Sequence, residues 1–86
     1  MPTICRFFGI VISMYYDDHL PPHFHVKYAE HRAKVTIDTL EIKEGKLPRR
    51  VFALVLEWAA LHRAELWANW QRARDGVPLG QVEPLE

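Results

Sequence analysis

The stretch His23-Phe24-His25-Val26-Lys27-Tyr28, followed by Ala33-Lys34-Val35-Thr36-Ile37-Asp38, decides how this chain folds. In the first segment Phe24, Val26 and Tyr28 alternate with His23, His25 and Lys27, the period-two signature of a half-buried strand. In the second, Ala33, Val35 and Ile37 alternate with Lys34, Thr36 and Asp38 as a return strand, and Ala29 to Arg32 reads as the polar turn between them. The two histidines and Lys27 therefore share the face opposite the apolar one.

Working outward, Ile4 to Tyr16 is rich in Ile, Val, Phe and Tyr and is interrupted by Gly9. It reads as two short strands, or as one strand broken by a bulge. Asp17-Asp18-His19-Leu20-Pro21-Pro22 is a proline-stiffened connection, because neither proline can donate a ladder hydrogen bond. Downstream, Leu40 and Ile42 change parity relative to Val35 and Ile37, so the Asp38-Thr39 step must be a bulge or a tight turn into another strand. Gly45 ends the sheet region, and Pro48 suits a first helical turn. No proline or glycine follows until Gly76, and the apolar stripe Val51, Leu54, Val55, Trp58, Leu61, Leu66 predicts one helix over 48–75. Such a helix of about 27 residues would run to roughly 40 Å, longer than a small sheet can cover, so its far end is expected to need another partner. The expected fold is α+β: a small antiparallel β-sheet of four to five short strands followed by one long C-terminal α-helix packed on it. The whole of 1–86 forms a single domain, with the β-sheet region and its histidines over 1–45, the helix over 48–75 and a tail, loop or docking strand, over 76–86.

Composition narrows the function. The 11 basic and 11 acidic side chains cancel, which removes the uniform positive field of a non-specific nucleic-acid binder and confines any such role to a local patch. The five histidines make the chain net positive on mild acidification. Cys5 is the single cysteine and forms no intramolecular disulfide; its plainest role is a small buried hydrophobe. No apolar run reaches membrane-span or signal-peptide form, so a cytoplasmic protein is expected.

Residues two apart on a strand can converge on one ion, and His19, Asp17 or Asp18 from the preceding loop could complete a site with His23 and His25. Three protein ligands and a water describe a catalytic zinc centre. The bland alternative is a pair of solvated histidines, since a bare His-x-His motif has little specificity. Without metal, His23 and His25 could act as base and acid in phosphodiester cleavage, with His19 as a third participant. Lys27, Lys46, Arg49 and Arg50 would then bind phosphate; cations at a helix N-terminus oppose the macrodipole unless an anion is bound. Pro2 could serve as an amino-terminal base if Met1 were removed, although a strand-starting proline is the plainer account. Trp58, Trp67 and Trp70 on the helical stripe belong to the core or to a protein interface, and His62 among them reads as a hydrogen-bonded core residue.

These residues carry a resemblance to the bacterial family named domain of unknown function 4160. It lies in Met1-Pro2-Thr3-Ile4, Gly9-Ile10-Val11-Ile12, Met14-Tyr15 and, above all, Asp18-His19-Leu20-Pro21-Pro22-His23-Phe24-His25, and continues through Glu44-Gly45-Lys46-Leu47-Pro48 to Glu57-Trp58-Ala59. Leu20 and Cys5 stand where members often carry a polar residue and a serine, and neither departure touches the histidines. The family has no established activity. Its members are often encoded beside a second small family, domain of unknown function 2442, in a toxin–antitoxin-like arrangement. The resemblance thus implies a small protein partner, or self-association, with Trp58, Trp67 and Trp70 as the interface and the histidine face as a possible second site. The alternatives are a histidine-dependent ribonuclease or phosphodiesterase acting on RNA, and a regulator binding zinc or another divalent metal through His19, His23, His25 and Asp18.

Overall fold

The computed structural model describes residues 2–86. Five antiparallel strands form a meander in the order β1 (Thr3–Phe7), β2 (Ile10–Ser13), β3 (His23–Tyr28), β4 (His31–Thr36) and β5 (Ile42–Lys46). The fold is α+β as expected, and the break at Gly9 is a two-residue hairpin. Phe8 and Gly9 there have φ of 50° and 80°, both positive, as the turn that matches strand twist requires. The second hairpin turn is shorter than expected. Only Ala29 and Glu30 lie outside the strands, so Arg32 sits within β4, directly opposite Lys27.

The registers Ile12 to Val26, Phe24 to Val35 and Val26 to Ala33 put the apolar side chains of neighbouring strands on one face. Helix α1 (Arg49–Leu61) covers that face: Val51, Val55 and Trp58 join Ile4, Ile10, Ile12, Phe24 and Val35 in the core. The Trp58 ring lies 5.6 Å from Phe7 and 6.0 Å from Phe24, centroid to centroid. Gly45 lets β5 approach β4. Its φ is +88°, and a Cβ there would fall 2.1 Å from the Arg32 carbonyl oxygen.

The single helix expected over 48–75 is two. A break at His62, with φ −120° and ψ 24°, separates α1 from α2 (Arg63–Asp75). The apolar stripe continues in phase across the break, so periodicity alone could not reveal it. Size explains the kink: the longest dimension of the molecule is 33 Å, less than an unbroken helix of that length would need. Turning at His62 returns Leu66, Trp70 and Ala73 to the same chain's interior. The far half of the helix therefore covers its own core.

The tail docks without regular secondary structure. The Val82 N–H donates to the Ile4 carbonyl at 2.9 Å, Trp58 Nε1 donates to the Glu83 carbonyl at 2.8 Å, and the Asn69 amide exchanges two hydrogen bonds with the Gly80 backbone. Among the described residues no helix is long and apolar enough to cross a membrane.

Candidate metal centre

The period-two geometry of β3 puts His23 and His25 on the sheet face away from α1, and the β2–β3 connection carries Asp18 across them. Asp18 Oδ1 accepts the His19 backbone N–H at 2.8 Å, which fixes the carboxylate. Its Oδ2 then faces both rings, 2.8 Å from His25 Nε2 and 3.1 Å from His23 Nε2. One ligand atom from each of Asp18, His23 and His25 lies within 4.8 Å of the other two. A zinc ion with bonds of about 2.0–2.1 Å spaces tetrahedral ligands roughly 3.3 Å apart, so the two Asp18–histidine pairs would need to open only slightly to admit one.

The two imidazoles differ. His23 is buried, 2% exposed, with its ring centroid 5.6 Å from that of Trp70. Its Nδ1 lies 2.7 Å from the Pro21 carbonyl oxygen. That oxygen can only accept, so Nδ1 carries a proton, and in the neutral ring Nε2 is then a bare lone pair. Nε2 is buried without a hydrogen-bond partner among the described residues, although the Asp18 carboxylate is within ion-pair distance. A lone pair aimed at a carboxylate is repulsive unless a proton or a metal ion lies between them. The Nδ1 contact to a backbone carbonyl is also the outer-shell arrangement that orients a metal-ligating histidine through Nε2.

His25 is more open, with 22% of its side chain exposed and Tyr15 edge-on at 4.3 Å. Nε2 of His25 donates to Asp18 Oδ2. Burial pushes the His25 imidazole below its usual pKa, against the opposing pull of Asp18. For Asp18, burial raises the pKa, but the hydrogen bonds from His25 and the His19 N–H, together with the nearby imidazoles, outweigh it and hold the carboxyl below its ordinary value. Both directions favour the forms a metal needs, carboxylate and neutral imidazole.

The other sequence-derived candidates are dispersed. His19 is exposed and meets Asp18 through its backbone; Asp17 is exposed beside it. Lys27 and Lys46 lie exposed on the histidine-bearing face, whereas Arg49 and Arg50 are exposed on the first turn of α1. Trp58 and Trp70 are core residues at 0% and 5% exposure, leaving Trp67, at 39%, as the tryptophan with accessible surface. Nδ1 of His62 lies 2.6 Å from Glu65 Oε1 across the helix break. Pro2 stands apart from the site, its carbonyl accepting the Met14 N–H; Met1, whose removal a catalytic Pro2 needs, lies outside the described residues.

A groove of about 300 Å³ opens beside His25, lined by Val11, Ser13, Tyr15, Lys27 and Arg32 among others. His25 reaches it and buried His23 does not, so a substrate in the groove would meet one imidazole directly. Sequence reasoning missed Tyr15, Ser13, Arg6 and Arg32 on this face. For Arg32 the signal was available, because a two-residue hairpin turn sets position 32 opposite position 27.

No curated protein and no solved structure is significantly similar to this chain. A family model does match: it covers residues 9–71, spanning β2 to β5, the Asp18–His23–His25 cluster, α1 and most of α2, and the chain therefore belongs to the family described as Domain of unknown function (DUF4160).

Proposed function

We propose that this protein is a divalent-metal-binding domain whose ligands are Asp18, His23 and His25. The observation that carries the reading is His23 Nε2, buried, without a hydrogen-bond partner and facing a carboxylate oxygen at 3.1 Å. Leaving a buried polar atom unsatisfied costs about 1–3 kcal/mol, and coordination would remove that cost. His23 would bind through Nε2 with Nδ1–H kept on Pro21, Asp18 through Oδ2, and His25 through Nε2 after its proton moves to Nδ1. Two imidazoles and a carboxylate suit zinc, and also the Fe(II) of facial-triad sites. When bound, such an ion with an open position can activate water as a nucleophile near neutral pH. Of the three residues that would hold the ion, His25 also lines the groove.

The test is elemental analysis of protein purified without affinity tag or chelator, followed by calorimetric titration of the metal-free protein with zinc. One equivalent is expected, with a rise in Tm that His23→Ala and Asp18→Asn both abolish. Metal-free protein whose Tm zinc leaves unchanged would rule the proposal out.

A second reading makes the chain the partner-binding member of a toxin–antitoxin-like pair. Leu61, 69% exposed where α1 ends, and Trp67 on α2 support it by presenting large apolar surface. Growth arrest on inducing the protein alone, relieved in a His23→Ala/His25→Ala variant shown to fold, would instead point to a histidine-dependent enzyme such as a ribonuclease.

A further inference from the structure

We infer that the sheet face opposite α1 docks single-stranded nucleic acid, with Arg6, Lys27, Arg32 and Lys46 contacting phosphates. Register places these residues in one line. Arg6 pairs with Val11, Val11 with Lys27, Lys27 with Arg32, and Arg32 with Lys46, so a single cross-strand row spans all five strands. Neighbouring strands lie about 4.8 Å apart, which makes the row roughly 19 Å long. All four cations are exposed, and among the described residues none lies within 4.0 Å of a carboxylate.

Three of the four, Lys27, Arg32 and Lys46, are direct cross-strand neighbours. Like charges in that relation destabilise a sheet, and a chain with 11 acidic residues had carboxylates to intersperse. Instead Glu44, paired with Lys34 at 3.1 Å, is the one carboxylate lining the groove. Asp18, on the same side, is engaged with His23 and His25, so the cross-strand row itself holds four cations and no carboxylate. A line of phosphates is the partner that turns this repulsion into attraction.

The groove selects a single strand. Its volume of about 300 Å³ is at the small end of ligand sites, room for one splayed base and not for a duplex. Val11 gives it an apolar floor, and Tyr15, held edge-on to His25, offers the aromatic surface on which unstacked bases rest in sequence-tolerant binders. The docking does not depend on the metal proposal, since none of the four cations is a ligand.

The experiment is fluorescence anisotropy of a labelled uridine octamer titrated with the full chain in EDTA, so that failure of this inference is separable from failure of the metal reading. Binding in the range of about 10⁻⁴–10⁻⁶ M, weakening steeply with salt, is expected. The Lys27→Gln/Arg32→Gln double variant, shown to fold by circular dichroism, should bind at least about tenfold more weakly with a salt slope smaller by about 1.4, two contacts at 0.7 each. Tyr15→Leu should weaken binding while leaving the slope unchanged. No binding, unchanged binding by the double variant, equal or tighter binding of a duplex of the same length, or a preference for phosphatidylserine vesicles would each overturn the inference.

Discussion

The two faces of the sheet are built from the same five strands and made for different ends. On the inner face Ile10, Ile12, Phe24, Val26 and Val35 are all 0–1% exposed, and α1 closes over them. One position along each strand the outer face carries Val11, Ser13, His25, Lys27 and Lys34, and only at its His23 end does α2, through Trp70, pack against it. The inner face reads as a demand for burial. The outer face breaks the rules that stabilise a sheet, through like charges in register and a histidine nitrogen without a partner. Local choices that oppose stability are expected where function has been placed.

Two residues of β3, Phe24 and Lys27, give the sharpest test of that contrast. Phe24→Ala should destabilise the fold by about 3–5 kcal/mol, because it removes a fully buried aromatic ring beside Trp58. That is a large fraction of the roughly 5–15 kcal/mol typical of a native domain. Lys27→Ala, on the other face, should stay within about 0.5 kcal/mol of the parent. Urea denaturation followed by tryptophan fluorescence measures both; comparable losses would mean that the outer face is structural too.

Gly45 joins the two faces. A side chain there meets the Arg32 carbonyl at 2.1 Å and the Ala33 Cα at 2.8 Å, at a φ of +88°. Strained φ alone costs about 1–3 kcal/mol, so Gly45→Ala should lose at least about 2 kcal/mol once the clash is included. Because β5 must shift, amide exchange should quicken along Ile42–Lys46 first. Nucleic-acid binding should weaken with it, since Lys46 leaves the row.

How much of this was legible follows from what each signal encodes. Period two revealed the strands and the shared face of His23 and His25, since alternation is local. It could not reveal that His23 is buried while His25 is half-open, because that depends on Trp70, 47 positions away in the chain. Asp18 was visible as a candidate and His19 equally so. Only the backbone path of the loop, which spends one Asp18 oxygen on the His19 N–H, separates them. The break at His62 left no mark because neither proline nor glycine produces it and the apolar phase runs through it. The cationic row was hidden by one boundary: placing Arg32 in the turn removed it from register with Lys27 and Lys46.

The smallest predicted effect has the opposite sign from the others. If Lys27, Arg32 and Lys46 repel one another, Arg32→Thr should stabilise the protein, by relieving two like-charge contacts with a residue well suited to strands. The gain should be a few tenths of a kcal/mol to about 1 kcal/mol at low ionic strength. It should shrink towards the propensity difference at 1 M salt, where the screening length is only about 3 Å. Thermal melts of parent and variant at both salt concentrations measure this directly. A variant less stable at low salt would show that Arg32 contributes more through its packed aliphatic stem than it loses through its charge, and the outer face would then be only as costly as an ordinary solvated sheet. A variant more stable but weaker in binding RNA would place the cost and the use on the same side chain.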